Sequence, residues 1–286
     1  MKFGKKLRRA LLVMLLAVVA LAVWIPLWML LSGSFMGESE ILQNLAPIFT
    51  NGQNRFATWP ALPEFPTLQP YVQLFLDTPE FFAMFWNSCR QVFPILLGQV
   101  VLGAPAAWAV ARFQFRGRKL VRTLYIVLML MPFQVTMVSS YLLLDNLGLI
   151  NTIWAIIIPG AVSTFPVFIM ERFFEGIPEA LLEAAALDGC GPWRTLFHVG
   201  LPLGAPGILS AVVLGFFEYW NAIEQPLAFL KDRSQWPLAL YLPNITAQNA
   251  GVSLVASVIM LAPALLIFLF GQRYLEQGIA ASGLKD

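Results

Sequence analysis

Five carboxylates, Glu171, Glu175, Glu179, Glu183 and Asp188, recur against only Arg172 and Arg194 in the one long polar interruption between two strongly apolar stretches. The centre of that interruption reads Glu183-Ala184-Ala185-Ala186-Leu187-Asp188-Gly189, and Leu201-Pro202 follows at a fixed distance. The chemistry this suits is ionic docking: an acidic helix held at a membrane surface, where it meets a soluble partner. Pro178 fits a first helical position, Glu179 and Glu183 favour the positive end of the helix dipole, and Gly189 with Gly191 ends the helix after about three turns. Ala180, Ala184 and Leu187, spaced by four and three, give it one small, smooth face for close approach. Pro192 then starts another turn. So acidic a segment is a poor electrostatic match to anionic lipid, which favours docking to protein.

The elements that must position this helix are membrane spans. The chain of 286 residues is 58% hydrophobic, with 18 Lys and Arg and 16 Asp and Glu, and its mean hydropathy is +0.72. Uncharged runs cover 10–32, 91–111, 123–144, 146–170, 199–217 and 252–272. The first, as a helix, is about 34 Å long, enough to cross a hydrocarbon core of roughly 30 Å. Barrel strands are excluded because their alternation is missing and lipid leaves open strand edges unpaired. The expected fold class is therefore an all-α integral membrane protein with six transmembrane helices. Prolines inside most runs, such as Pro26, Pro94, Pro132 and Pro263, predict kinks.

Fourteen of the 18 Lys and Arg fall in alternate loops and the two ends, dominated by Lys2 to Arg9 and Arg112 to Arg122, against three in the opposite loops. The bias places both termini in the cytoplasm. The resulting layout is a cytoplasmic N-terminus (1–9), helix 1 (10–32), an extracytoplasmic segment (33–80) read as a cap, a core with helices 2–6 (81–272) holding the acidic loop (171–200), and a cytoplasmic tail (273–286). An export signal would also start with bases before an apolar run, but 23 uncharged residues without a small-x-small cleavage site favour a retained anchor. The tail is too polar for a seventh span, and its small residues permit an extended course.

Other chemistry is sparse. Cys89 and Cys190 fall on opposite sides and have no metal spacing around them, and His198 is the only histidine. The bases of 112–122 are explained by topology, with no nucleic acid implied. Arg90 and Glu218 lie near membrane depth, where charges face protein or a cavity, and are candidates for an intramembrane charge pair. Tyr141, Asn151, Trp154, Glu218, Tyr219, Trp220 and Asn221 could offer hydrogen bonds and aromatic surface, but such residues are also ordinary interface anchors; none is assigned to substrate.

The pattern Glu183-Ala184-Ala185-x-x-Asp188-Gly189, then nine residues, then Val199-x-Leu201-Pro202, resembles the EAA loop of binding-protein-dependent ABC importer permeases, with Val for the usual Ile. Ile177-Pro178-Glu179, Trp220-Asn221-x-x-x-Gln225-Pro226-Leu227 and Gly278-Ile279-Ala280-Ala281 are similar to the carbohydrate branch, specifically the smaller maltose-type subunit; Glu276 and Gln277 depart from it. The resemblance implies a type I importer permease fold in a bacterial inner membrane. It implies a second permease subunit, two copies of a cytoplasmic ATPase, an extracytoplasmic solute-binding protein and a sugar substrate. Glu179, Glu183, Ala184, Ala185, Asp188, Gly189, Leu201 and Pro202 would couple to the ATPase. ATP and Mg²⁺ would sit on that partner, since this chain has no phosphate-binding loop motif and is expected to be neither an enzyme nor a cofactor carrier. In maltose-type transporters the larger partner supplies the sugar contacts. Glycerol phosphate or another small polar solute is the alternative cargo, and a secondary transporter the alternative class, disfavoured because neither repeated halves nor an intramembrane coupling site is evident.

Overall fold

The computed structural model describes residues 2–49, 56–241 and 249–283. Among them every long element is helical and no strand occurs. In chain order the helices are α1 (Lys2–Gly33), α2 (Glu38–Phe49), α3 (Gln69–Asp77), α4 (Pro79–Arg112), α5 (Arg118–Leu130), α6 (Phe133–Asn146), α7 (Trp154–Ala161), α8 (Thr164–Glu175), α9 (Glu179–Leu187), α10 (Pro192–Thr195), α11 (Leu201–Trp220), α12 (Glu224–Phe229) and α13 (Ala250–Gly283). Five of the resulting segments are long and apolar enough to span a membrane, or six if α5 and α6 count as one bent span.

The chain divides into two compact units, Met1–Phe81 with Leu242–Ala262 and Phe82–Tyr241 with Pro263–Asp286. In the first, α1 leaves Leu11 through Ile25 exposed side by side, a surface that only lipid or another membrane protein could cover. The segment after it is folded: Met36, Ile41, Leu45 and Ala250 form a small core flanked by Trp59. The Ser34 and Tyr71 hydroxyls lie 2.8 Å apart, and buried Glu40 accepts the Glu64 backbone N–H at 2.9 Å.

The second unit holds the acidic loop. Its core joins α4, α8 and α11 through Ala104, Ala107, Trp108, Val167, Met170, Phe174, Leu196 and Ala211. Contact between α8 and α11 depends on absent side chains: a Cβ at Gly204 would come within 2.3 Å of the Phe174 ring, and one at Gly207 within 2.5 Å of Phe173. The α13 helix joins this unit where Gly271 faces Val213 and the Ser210 hydroxyl donates to the Tyr274 carbonyl.

Two of the six expected spans differ in detail. The run 123–144 is broken between α5 and α6 by a bend of 104°. Pro132 is the cause: it disfavours helical geometry in the residue before it, and Met131 is extended at φ −74°, ψ 120°. The run 146–170 begins as a loop, because Gly148 and Asn151 adopt positive φ (68° and 63°); the helical part is α7 and α8, from Trp154 to Glu175. At the C-terminus the helix continues through Gly283, where small residues suggested an extended tail. Residues 284–286 lie outside the described residues.

Candidate functional site

The acidic loop is built from the end of α8 forward. Glu171 is buried and Glu175 half-buried, and both face the guanidinium of Arg122 on α5; Arg122 Nε donates to Glu171 at 2.6 Å. Arg118 and Arg172 add contacts to Glu175 at 3.8 and 3.5 Å. At the other flank Arg112, the last residue of α4, donates to the carbonyls of Phe174, in the last turn of α8, and of Ile177 just beyond it. The same guanidinium reaches Glu179 at 3.4 Å and lies 5.9 Å from the Trp108 ring centre. Trp108 in turn meets Phe174 edge to face at 5.3 Å. The planar, five-donor guanidinium suits this multiple role in a way an ammonium does not.

These contacts change the reading of two charged regions. Three of the five acids, Glu171, Glu175 and Glu179, are used within the chain, and the Arg112–Arg122 bases are their partners as well as topology signals. Charge complementarity between two runs some 60 positions apart was the available sequence signal. Only Glu183 and Asp188 of the five have no ion pair among the described residues, and both are exposed.

The helix α9 runs Glu179–Leu187 with Pro178 as its N-cap, φ −58° and ψ 135°, so that it begins one position later than expected. Its end is a Schellman turn: Cys190 N–H donates to Ala185 O at 2.9 Å and Gly189 N–H to Ala186 O at 3.0 Å. Gly189 has φ 74° with open space around its Cβ position, so its requirement is conformational and not steric. Ala185 faces inward, while Ala180, Glu183, Ala184, Leu187 and Asp188 form the free face. Leu187 is 90% exposed, and beside it Trp193 and Phe197, 66% and 57% exposed, stack on one another.

From Pro192 the chain continues as one helix into α11, with a π segment at Leu196–Gly200. The widening answers Pro202, which has no N–H for the carbonyl four residues back and whose ring would clash with it; Leu201 N–H turns instead to Leu196 O. His198 lies in this segment, its Nδ1 3.0 Å from the Arg194 carbonyl. Leu201 packs against the core, and Pro202 is exposed.

At the far end of α11 the expected Arg90–Glu218 pair is not formed: no ion pair joins them among the described residues, and both side chains are exposed. Helix phase is the reason. On α4 it is Ser88 and Gln91 that turn inward, where Gln91 and Asn87 donate to carbonyls of Gln235 and Ser234 at 3.0 and 2.6 Å and Ser88 accepts the Leu238 N–H at 2.7 Å. Glu218 instead borders a pocket of about 360 Å³ with Phe133, Asn221, Glu224 and Gln225.

The other polar candidates are mostly structural. Asn151, at positive φ, accepts the N–H groups of Lys231 and Asp232 at 2.9 and 2.8 Å and receives Gln235 on its carbonyl. Trp220 stacks on Phe216 at 5.2 Å, Tyr219 is buried, Tyr141 lies against Phe229, and Trp154 is exposed. Cys89 and Cys190 are free thiols. No grouping of His, Cys, Asp and Glu able to hold a metal occurs among the described residues.

Residues 99–281, which contain the acidic loop, the π segment and the pocket, match the family described as binding-protein-dependent transport system inner membrane component. The chain belongs to that family. This permease is 26% identical to the arabinooligosaccharides transport system permease protein of Halalkalibacterium halodurans, over 94% of both chains. It is 28% identical to the diacetylchitobiose uptake system permease protein of Streptomyces coelicolor, covering 93% of this chain and 85% of that one. Its fold matches a chain of a bacterial ABC transporter that imports the acidic polysaccharide alginate, with a TM-score of 0.78 at 19% identity over 95% of this permease and 97% of that chain. The permease thus has the fold of an ABC importer membrane subunit.

Proposed function

We propose that this permease is one of two membrane subunits of an ATP-driven importer for a sugar or oligosaccharide, that both its termini lie in the cytoplasm, and that α9 docks in a cleft of a cytoplasmic ATPase. The observation that carries the reading is α9 itself, whose smooth acidic free face is left open while its first residue, Glu179, is tied to Arg112 of α4 and the end of α8 just before it is bolted to α5 by Arg118 and Arg122. A helix so anchored passes displacement on instead of bending locally. Closure of two nucleotide-bound ATPases would move α9 with the ends of α4 and α8 and turn the cavity outward, where a solute-binding protein delivers its cargo. ATP must then bind more tightly to the outward state, because a ligand of equal affinity for both states shifts nothing. ATP and Mg²⁺ belong to the partner in this scheme, and the subunit itself catalyses no reaction. The cargo class follows from relatives whose names specify arabinooligosaccharides and diacetylchitobiose.

Co-purification tests the reading. The permease, expressed with the ATPase and second permease of its own cell, should be recovered as a complex whose ATP hydrolysis rises when binding protein and sugar are added. Substrate-coupled flux by the permease alone, with no ATPase bound, would reject it.

A further inference from the structure

The pocket at the end of α11 has chemistry that the docking of α9 does not use. At about 360 Å³ it lies at the lower end of the roughly 300–1,000 Å³ typical of small-molecule sites. Phe133 offers an aromatic wall, and facing it are two carboxylates, Glu218 and Glu224, and two amides, Asn221 and Gln225. No Lys, Arg or His lines it.

Several of these groups are incompletely satisfied. The Gln225 Oε1 is buried without a hydrogen-bond partner, although an unmet buried acceptor costs about 1–3 kcal/mol. Glu218, on a membrane-spanning helix, has no hydrogen bond or ion pair to another side chain among the described residues. Charges at such depth face a cavity or a partner. Asn221, which also lines the pocket, donates its amide nitrogen to the Phe217 carbonyl at 2.9 Å, and its oxygen can only accept. Glu224 is held by Gln134, whose Nε2 lies 2.7 Å from each carboxylate oxygen. The site therefore presents acceptors beside an aromatic face. A molecule with several O–H donors and a C–H face complements it, and one that carries its own carboxylates does not.

We infer that this pocket is a subsite for the hydroxyls of a neutral sugar, and that Glu218 and Glu224 discriminate against uronate-containing sugars. The inference rests on the importer reading and adds to it: contacts to cargo come from this subunit, and the sign of charge at the pocket selects among carbohydrates. Like charges brought together without a cation are a repulsive element, the kind of device that specificity requires.

The test uses the complete permease–ATPase complex in lipid nanodiscs, with arabinotriose as a neutral probe and trigalacturonate as its charged counterpart, by saturation-transfer NMR without the binding protein. Arabinotriose should bind, and trigalacturonate at least about ten-fold more weakly, the equivalent of 1.4 kcal/mol. Asn221→Ala and Gln225→Ala should each raise the arabinotriose Kd by about three- to ten-fold, in keeping with one hydrogen bond lost. The near-isosteric pair Glu218→Gln with Glu224→Gln should narrow the preference over trigalacturonate. Each variant is accompanied by its ATPase co-purification, which should not change, so that a folding failure is seen as such and the conservative Gln pair still decides. No arabinotriose binding, equal binding of both probes to the wild type, or an arabinotriose Kd untouched by all four substitutions would overturn the inference while leaving an ATPase-coupled importer intact. Failure to recover the ATPase at all would instead remove the reading on which it rests.

Discussion

The two ends of α11 treat polar groups in opposite ways. Where α11 begins, Glu171, Glu175 and Glu179 each have an arginine, and Arg112 also takes up the carbonyls at the end of α8. Some 20 residues and about 30 Å later, Glu218 has no ionic partner among the described residues and the Gln225 oxygen has no donor. Where α11 begins, Arg112 Nε and Trp108 Nε1 are buried without a hydrogen-bond partner, but the three carboxylates are all ion-paired. An ion-paired network resists rearrangement, since removing one member strands the rest. A carboxylate without an ionic partner is free to accept a visitor. The contrast separates a part suited to passing on force from a part suited to exchanging ligands, in one helical unit.

The most damaging way to break this contrast is to unbolt the ion-paired end. Arg112→Ala removes the donor of two backbone carbonyls and one carboxylate at once, and should cost about 2–4 kcal/mol of stability, as expected for a partly buried charged network. Arg112→Lys should recover only a small part, because an ammonium cannot span the same acceptors. Thermal unfolding in detergent and ATPase recovery should fall together; a stable variant that still binds the ATPase normally would show that the anchor is dispensable.

Next in size is Gly189. Gly189→Val forces a β-branched residue to φ 74° and should disrupt the Schellman turn by roughly 1–2 kcal/mol, with weakened coupling of sugar-stimulated ATP hydrolysis. Gly189→Asn should be much milder, since Asn tolerates that conformation. Equal damage by both would point to crowding, which the open space around this glycine argues against.

Glu171 and Glu183 sharpen the comparison because they are the same residue type twelve positions apart. Glu171→Gln should destabilise the fold by roughly 1–2 kcal/mol, a charged hydrogen bond discounted for the partial exposure of Arg122. Glu183→Ala should leave stability within about 0.5 kcal/mol, as for an exposed side chain, while loosening ATPase association. If the two variants exchange these phenotypes in paired unfolding and pull-down measurements, the division of the acids into internal and external sets is wrong.

The smallest expected effect is a null. Arg90→Leu and Glu218→Leu share no contact, so their effects on stability should add within about 0.3–0.5 kcal/mol. Partial recovery in the double variant, measured in a detergent-stability cycle, would reveal a pairing that the present geometry lacks.

Much of this arrangement was legible in the sequence, for reasons that also explain the rest. Hydropathy identified the apolar runs because length and lack of charge are properties of a segment. It could not register the break at Met131, whose extended backbone is dictated by Pro132, or the loop around Asn151, an apolar-flanked residue in a left-handed conformation. The turn at Gly189 was readable because helix ends are local. The Arg122–Glu171 contact was not, since nothing in local periodicity relates two charges 49 positions apart. Arg90 and Glu218 illustrate the converse error: similar depth suggested a pair, but helical phase decides which side chains meet, and it turns Ser88 and Gln91 inward in place of Arg90.

The π segment at Leu196–Gly200 gives the interval between Gly189 and Leu201 a further meaning. A widened turn holds one residue more than a regular helical turn would, and each residue advances a helix by about 100°. Were one residue lost from the interval and the helix to become regular, everything beyond would swivel by that angle relative to α9: Gly204 and Gly207 would leave the aromatic rings of α8, and Glu218 would leave the Phe133 side. The interval is thus an angular gauge as well as a length, and insertions or deletions within it should be tolerated far less well than substitutions.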